Sequence, residues 1–257
     1  MHSGNRPGTL TSSADWWRYA VLLIVATGSL AFVLLKEPIR QDLDYHYFAD
    51  QRAFLGVPNF LDVASNLLFL FAGVAGVIFC LAEREGRLRT AWLTFFVGVA
   101  IVSVGSAYYH LNPNNDTLVW DRLPMTVGFM GMFAALLGEY ASARLGKSLL
   151  VPAVLLGFFS VLYWHWFDDL RPYFWIQLIP LLTVPVVMIL FRSRFTHQWI
   201  LLVALGLYVF AKISETYDRE VFAFTQNLFS GHTLKHLLAA LSCFSVLAML
   251  KLRKSTG

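Results

Sequence analysis

The stretch SGHTLKHLLAAL (230–241) sets His232 and His236 four residues apart at the head of an apolar run. On a helix that spacing is one turn, so both imidazoles share a face and can hold a single metal ion. The glutamate of the helical His-Glu-x-x-His pattern is missing, because residue 233 is threonine. A general base must therefore come from another segment. SAYYH (106–110) repeats the spacing with Ser106 and His110. His110 is the candidate third ligand, and Ser106 sits one turn deeper, facing the same point. Asp121 follows across an NPNN turn signal. Three neutral histidines leave a fourth tetrahedral position for water, the pattern of catalytic rather than structural zinc. Zinc lowers the pKa of bound water to around 7. Asp121 is then expected to take that proton and deliver it to a leaving group, and Ser106 to hydrogen-bond the water or a developing oxyanion. PNFLDVASN (58–66) adds Asp62, Ser65 and Asn66 as supporting residues, or as simple helix-to-helix bonds.

The elements that must bring these residues together are membrane helices. The 257 residues are 57% hydrophobic and 14% charged, where a soluble domain carries about 25% charged residues. The fold class expected is all-α: a polytopic membrane helix bundle, since a span needs about 20 apolar residues. Eight spans are expected, at 16–35, 60–81, 91–109, 123–143, 148–166, 172–191, 199–213 and 232–252. The first reads as a retained span, because VLLKEP supplies no small-residue cleavage site. Short polar connections make most neighbours antiparallel. Alternation then puts Asp62, Ser106, His110, Asp121, His232 and His236 at one depth, near one face. The domain organisation expected is a tail (1–15), a membrane helix (16–35), an acidic and aromatic external loop (36–59), a seven-helix domain (60–252) and a tail (253–257).

Leaving Lys235 aside, twelve Lys and Arg fall on the side of the termini and seven on the other. The positive-inside rule then puts both termini in the cytoplasm and the site near the outer leaflet of a plasma membrane. Basic residues are scattered, so nucleic acid is not an expected partner. No protein partner is expected either; the lipid bilayer supplies the ligand. Cys80 and Cys243 lie in apolar runs, and no disulfide is expected. His46, His165 and His197 read as hydrogen-bonding residues, Lys235 as a snorkelling side chain, and Asp168 and Asp169 as a solvated loop. GVAGV (73–77) reads as a close-packing patch.

The pieces SNLLF (65–69), SAYYH (106–110), DRLPM (121–125) and HTLKH (232–236) resemble, in order, those of the alkaline ceramidase family. That family belongs to a wider superfamily of seven-span proteins that includes the adiponectin-receptor-like proteins. The resemblance implies a bacterial-type member in which His110, His232 and His236 bind zinc and Ser106 and Asp121 line the catalytic water. The implied reaction cleaves the amide bond of ceramide-like lipids to a fatty acid and a sphingoid base. It also implies a seven-span core, so that 16–35 is an added N-terminal helix. Family members use an acidic segment before the core to bind calcium; Asp42, Asp44 and Asp50 lie in the acidic segment 36–59 here. Two other functions fit the same residues: an adiponectin-receptor-like zinc-containing receptor or sensor, and a transporter with His and Asp as a proton relay.

Overall fold

A computed structural model of the chain describes residues 16–83 and 88–256. The expected tail 1–15, the loop arginines Arg84 and Arg87 counted above for their charge, and Gly257 lie outside the described residues. Among those residues the chain is helical, without named strands. α1 is Trp16–Leu34, α2 Phe60–Ser65, α3 Leu67–Ala82, α4 Arg89–Leu111, α5 Asn115–Tyr140, α6 Ala143–Phe167, α7 Arg171–Leu190, α8 Ile200–Thr216, α9 Asp218–Phe224 and α10 Gly231–Leu252.

Among the described residues, seven spans are long and apolar enough to cross a membrane, counting α2 with α3 as one. α8 has 17 residues and turns by 88° into α9. α2 and α3 part at Asn66, whose side chain donates to the Asp62 carbonyl at 2.7 Å; a side chain that competes for a helix carbonyl in this way weakens the ladder locally. α5 starts well before the expected residue 123. The Asn114 side chain accepts from the Thr117 N–H, and the Thr117 side chain accepts from the Asn114 N–H, a reciprocal cap that begins the helix at the NPNN turn. Asp121 therefore sits inside the helix rather than in the loop before it.

α3, α4, α5 and α6 pack in chain order, α7 packs on α5 and α6, and α10 packs on α8 and α3. α5 is the most buried span. Small residues set its distance from α4. A Cβ at Gly105 would strike the carbonyl of Trp120, and one at Gly98 would strike the backbone of Gly128. Pro124 lies in α5 and has no N–H to offer the carbonyl four residues before it, which is that of Trp120. α4 thus closes onto α5 where one carbonyl lacks its helical partner. The 73–77 patch packs as expected: Gly73 meets Ala100 and Gly76 meets the Phe96 ring. α1 leans on α7 from outside and buries a single residue, Val33.

Candidate metal centre

The C-terminal end of α4 and the N-terminal ends of α2, α5 and α10 meet at one end of the bundle. His110, His232 and His236 are all buried there, and each brings one ring nitrogen within 4.8 Å of the other two. Their ring centroids are 4.9, 5.0 and 5.0 Å apart. Both ring nitrogens of His110 are buried without a hydrogen-bond partner, an arrangement that is costly unless something occupies the lone pair.

The His236 tautomer follows from its neighbour. Ser65 Oγ lies 2.8 Å from His236 Nδ1 and 3.1 Å from the Asp62 carbonyl oxygen. A hydroxyl has one hydrogen and the carbonyl can only accept, so Ser65 donates to the carbonyl and His236 Nδ1 donates to Ser65. Nε2 is then left with a bare lone pair. A ring held through one nitrogen while the other ligates is the usual outer support of a histidine metal site. Three buried imidazoles, each with a ring nitrogen close to those of the other two, fit a zinc ion.

α10 is held in register by its own first turn. Ser230 caps it by accepting from the Thr233 N–H at 3.0 Å. The His232 N–H donates to Asp218 Oδ1 at 2.6 Å, and Asp218 Oδ2 accepts from the Ala49 N–H at 2.8 Å. A carboxylate is favoured at a helix N-terminus. Gly231 lets this turn approach: a Cβ there would strike the Ser214 carbonyl. Thr233 donates to Asp62 Oδ1 at 2.6 Å, so Asp62 and Ser65 tie α2 to the histidine-bearing turn of α10. Asn66 bonds only within its own helix through the Asp62 carbonyl.

Ser106 and Asp121 are both buried, with the Ser106 side chain close to the Asp121 carboxylate. Both line a cavity of about 1010 Å³ together with His232 and His236. The cavity runs inward to Phe95, Val99, Met132 and Val246, which are apolar.

Two expectations change. Lys235 does not snorkel: its ammonium donates to Glu215 Oε1 at 3.0 Å and lies 2.9 Å from His232 Nε2. Glu215, at the end of α8, also pairs with Lys212. Among the described residues the three histidines are the one group of three or more such donors, and Asp42, Asp44 and Asp50 do not gather into a calcium site. Asp42 accepts from the Asp44 N–H, and Asp50 is held by Arg52 Nε and Nη2, each at 2.7 Å.

The 36–59 segment instead folds over the site. The Phe48 ring lies 4.7 Å from that of His110 and 4.5 Å from that of His232. His46 bonds Tyr109 and Asn115 at 2.9 Å each, a bonding role as expected. Tyr45 donates to Glu215 at 2.9 Å. Burial, and then the Glu215 carboxylate, push this phenol well above its usual pKa, so it remains a donor. Nothing in the sequence spacing marked Tyr45 or Phe48; only the aromatic content of the segment hinted at a buried face.

No curated protein sequence matches the chain. A family model described as Ceramidase matches residues 56–256. That match spans all three histidines, Ser106, Asp121 and their supports, and on it the chain belongs to the ceramidase family.

Proposed function

We propose that this protein is a membrane-embedded, zinc-dependent hydrolase that cleaves the amide bond of ceramide-like lipids to a fatty acid and a sphingoid base. Family membership supports the reaction class. The observation that carries the rest is the buried histidine trio beside a cavity with one polar and one apolar end. Zinc held by His110, His232 and His236 would supply a Lewis acid and a water acidic enough to ionise near neutral pH.

The residues of the chain do the rest. Asp121 accepts the proton of the attacking water at its carboxylate and returns it to the departing amine nitrogen, as a general base and then acid. Ser106 holds Asp121 in place and offers its hydroxyl to charge developing on the amide oxygen. Phe48 covers the histidines and restricts water at that point. The apolar inner end takes the acyl chain, and this argues for a lipid rather than a proton path, which would need titratable groups there. We further propose that the site lies near the outer leaflet of a bacterial plasma membrane and that the lipid arrives laterally from the bilayer.

Purified protein in detergent is expected to contain about one zinc per chain and to hydrolyse a fluorescent N-acyl sphingoid lipid. His236→Ala is expected to lose metal and turnover together. Full hydrolysis by a metal-free preparation would overturn the reading.

A further inference from the structure

We propose that Arg122 forms a subsite in this cavity for an anionic group, phosphate or carboxylate, carried on the amine side of the lipid amide. The inference rests on the amidase reading above and adds a substrate class to it.

Arg122 follows Asp121 on α5, and its guanidinium lies against aromatic rings of α6 and α7. Its Cζ lies 4.0 Å from the Trp164 ring and 4.9 Å from that of Tyr173. Nη2 donates to Gln41 Oε1 at 2.7 Å. Nη1 is buried with no partner. The residue is 5% exposed and lines the cavity that His232 and His236 also line.

No carboxylate among the described residues stands at salt-bridge distance from this guanidinium. The contrast with its neighbours is internal to the chain. Arg171 and Arg253 have side chains 17% and 19% exposed, and they pair with Asp169 and Glu139. Glu215, which Tyr45 links to this side of the cavity, is already shared by Lys212 and Lys235. A guanidinium withdrawn from water with no carboxylate in contact, Asp121 acting on it only from a distance, is costly, and aromatic faces offset that only in part. Its planar fork is shaped for an oxyanion.

Position selects the amine side. The Tyr45 ring stands 6.5 Å from that of His232 and 6.0 Å from Arg122 Cζ. The guanidinium is therefore one ring away from the histidine trio, under the 36–59 segment and remote from the apolar end. With the scissile amide at the histidines and the acyl chain inward, the substituents near the amine carbon reach Arg122.

The test uses the full-length zinc-loaded protein in detergent and three matched substrates. These are an N-acyl sphingoid amide, its 1-phosphate, and the analogue with a carboxylate in place of that hydroxyl. Wild type is expected to favour at least one anionic substrate in kcat/KM by about tenfold or more; the preferred one identifies phosphate or carboxylate. Arg122→Gln should lower that substrate about ten- to a hundredfold, chiefly through KM, and leave the neutral amide within about threefold. Equal use of all three by wild type, or an equal loss of all three in the variant, overturns the proposal. Should Arg122→Gln not fold, Arg122→Lys keeps the charge without the fork. It should lose at least about threefold on the anionic substrate alone, and an equal loss on all three again overturns the proposal. If wild type cleaves none of them, the amidase reading fails and binding decides the subsite. Hexadecyl phosphate or hexadecanoate should then bind wild type about tenfold tighter than hexadecanol and lose that margin in Arg122→Gln. Equal binding to both proteins overturns it.

Discussion

Ser65 has one hydrogen to give and two atoms waiting for it, and that shortage orients His236. Removing the hydroxyl lets the His236 ring choose either tautomer and frees its Nδ1 inside a buried pocket. Ser65→Ala is expected to weaken zinc binding by about ten- to a hundredfold, read by competition with a chromogenic chelator, while the helical content stays at the wild-type value. Unchanged affinity would mean that the serine only joins α2 to α10. The sequence made some of this chemistry visible and hid the rest for physical reasons. The four-residue spacings of Ser106/His110 and His232/His236 are local, so a helical repeat reveals them. Lys235 stands three residues from His232, which also makes them helical neighbours, but its partner Glu215 comes from α8 and no repeat predicts that. Asp168 and Asp169 look solvated in sequence. In the fold Asp168 Oδ1 accepts from the Gln41 N–H at 3.0 Å, and Asp169 is buried against Arg171.

At the scale of elements, close contact between α4 and α5 decides whether Ser106 can face Asp121. Gly105 meets the rigid Trp120 carbonyl, so an added methyl group must push the helices apart. Gly105→Ala is expected to destabilise the protein by about 1–3 kcal/mol and to reduce both turnover and zinc content, because α4 carries both Ser106 and the ligand His110. Gly206→Ala is the control: a Cβ there meets nothing within 4 Å, and removing a helical glycine should leave stability level or raised by up to about 1 kcal/mol. Docking of the 36–59 segment depends on a different device. Arg171 Nη1 donates to the Leu34 and Lys36 carbonyls at 2.9 and 2.6 Å while Asp169 holds the guanidinium. Burial alone would raise the Asp169 pKa, but the Arg171 hydrogen bonds outweigh it and hold the carboxyl below its usual range. The stabilisation is therefore full above the ordinary aspartate value of about 3.9 and is lost as pH falls through the lower folded value. A fluorophore on Leu43→Cys should report a loosened segment only on the acid side; loosening between neutral and alkaline pH would refute this. The helices of the bundle were legible from apolar runs to within a few residues, except where the Asn114 cap lengthened α5 and where α6 begins at Ala143 rather than 148. The cover formed by 36–59 was not, since its contacts with α4, α7 and α9 are all distant in sequence.

For the whole molecule, the side on which each terminus lies turns on α8. At 17 residues it is about 25 Å long, short against a hydrocarbon core of about 30 Å. Its bend into α9 would also suit a segment that enters the membrane and returns. The contacts with α10 decide against a return. Gln198, just before α8, donates to Met249 Sδ at 3.3 Å near the far end of α10. Midway, Ser242 Oγ donates to the Ala204 carbonyl at 2.7 Å. At the other end the Ser214 carbonyl abuts Gly231. α8 therefore runs antiparallel to α10 from end to end, and if α10 crosses the bilayer then so does α8. Glu215 and Lys212 fall at its end, where α9 turns aside and the polar site begins, so the short length leaves charged groups near the interface rather than in hydrocarbon. With eight crossings the two termini share one side, and on the excess of Lys and Arg there, twelve against seven, we propose that this side is the cytoplasm. Reporter domains fused after residue 256 and before residue 16 should both give a cytoplasmic signal, and one inserted at exposed Leu55 should give an external one. A C-terminal reporter on the external side would make α8 and α9 a re-entrant pair and move the histidine site to the inner leaflet or off the bundle end.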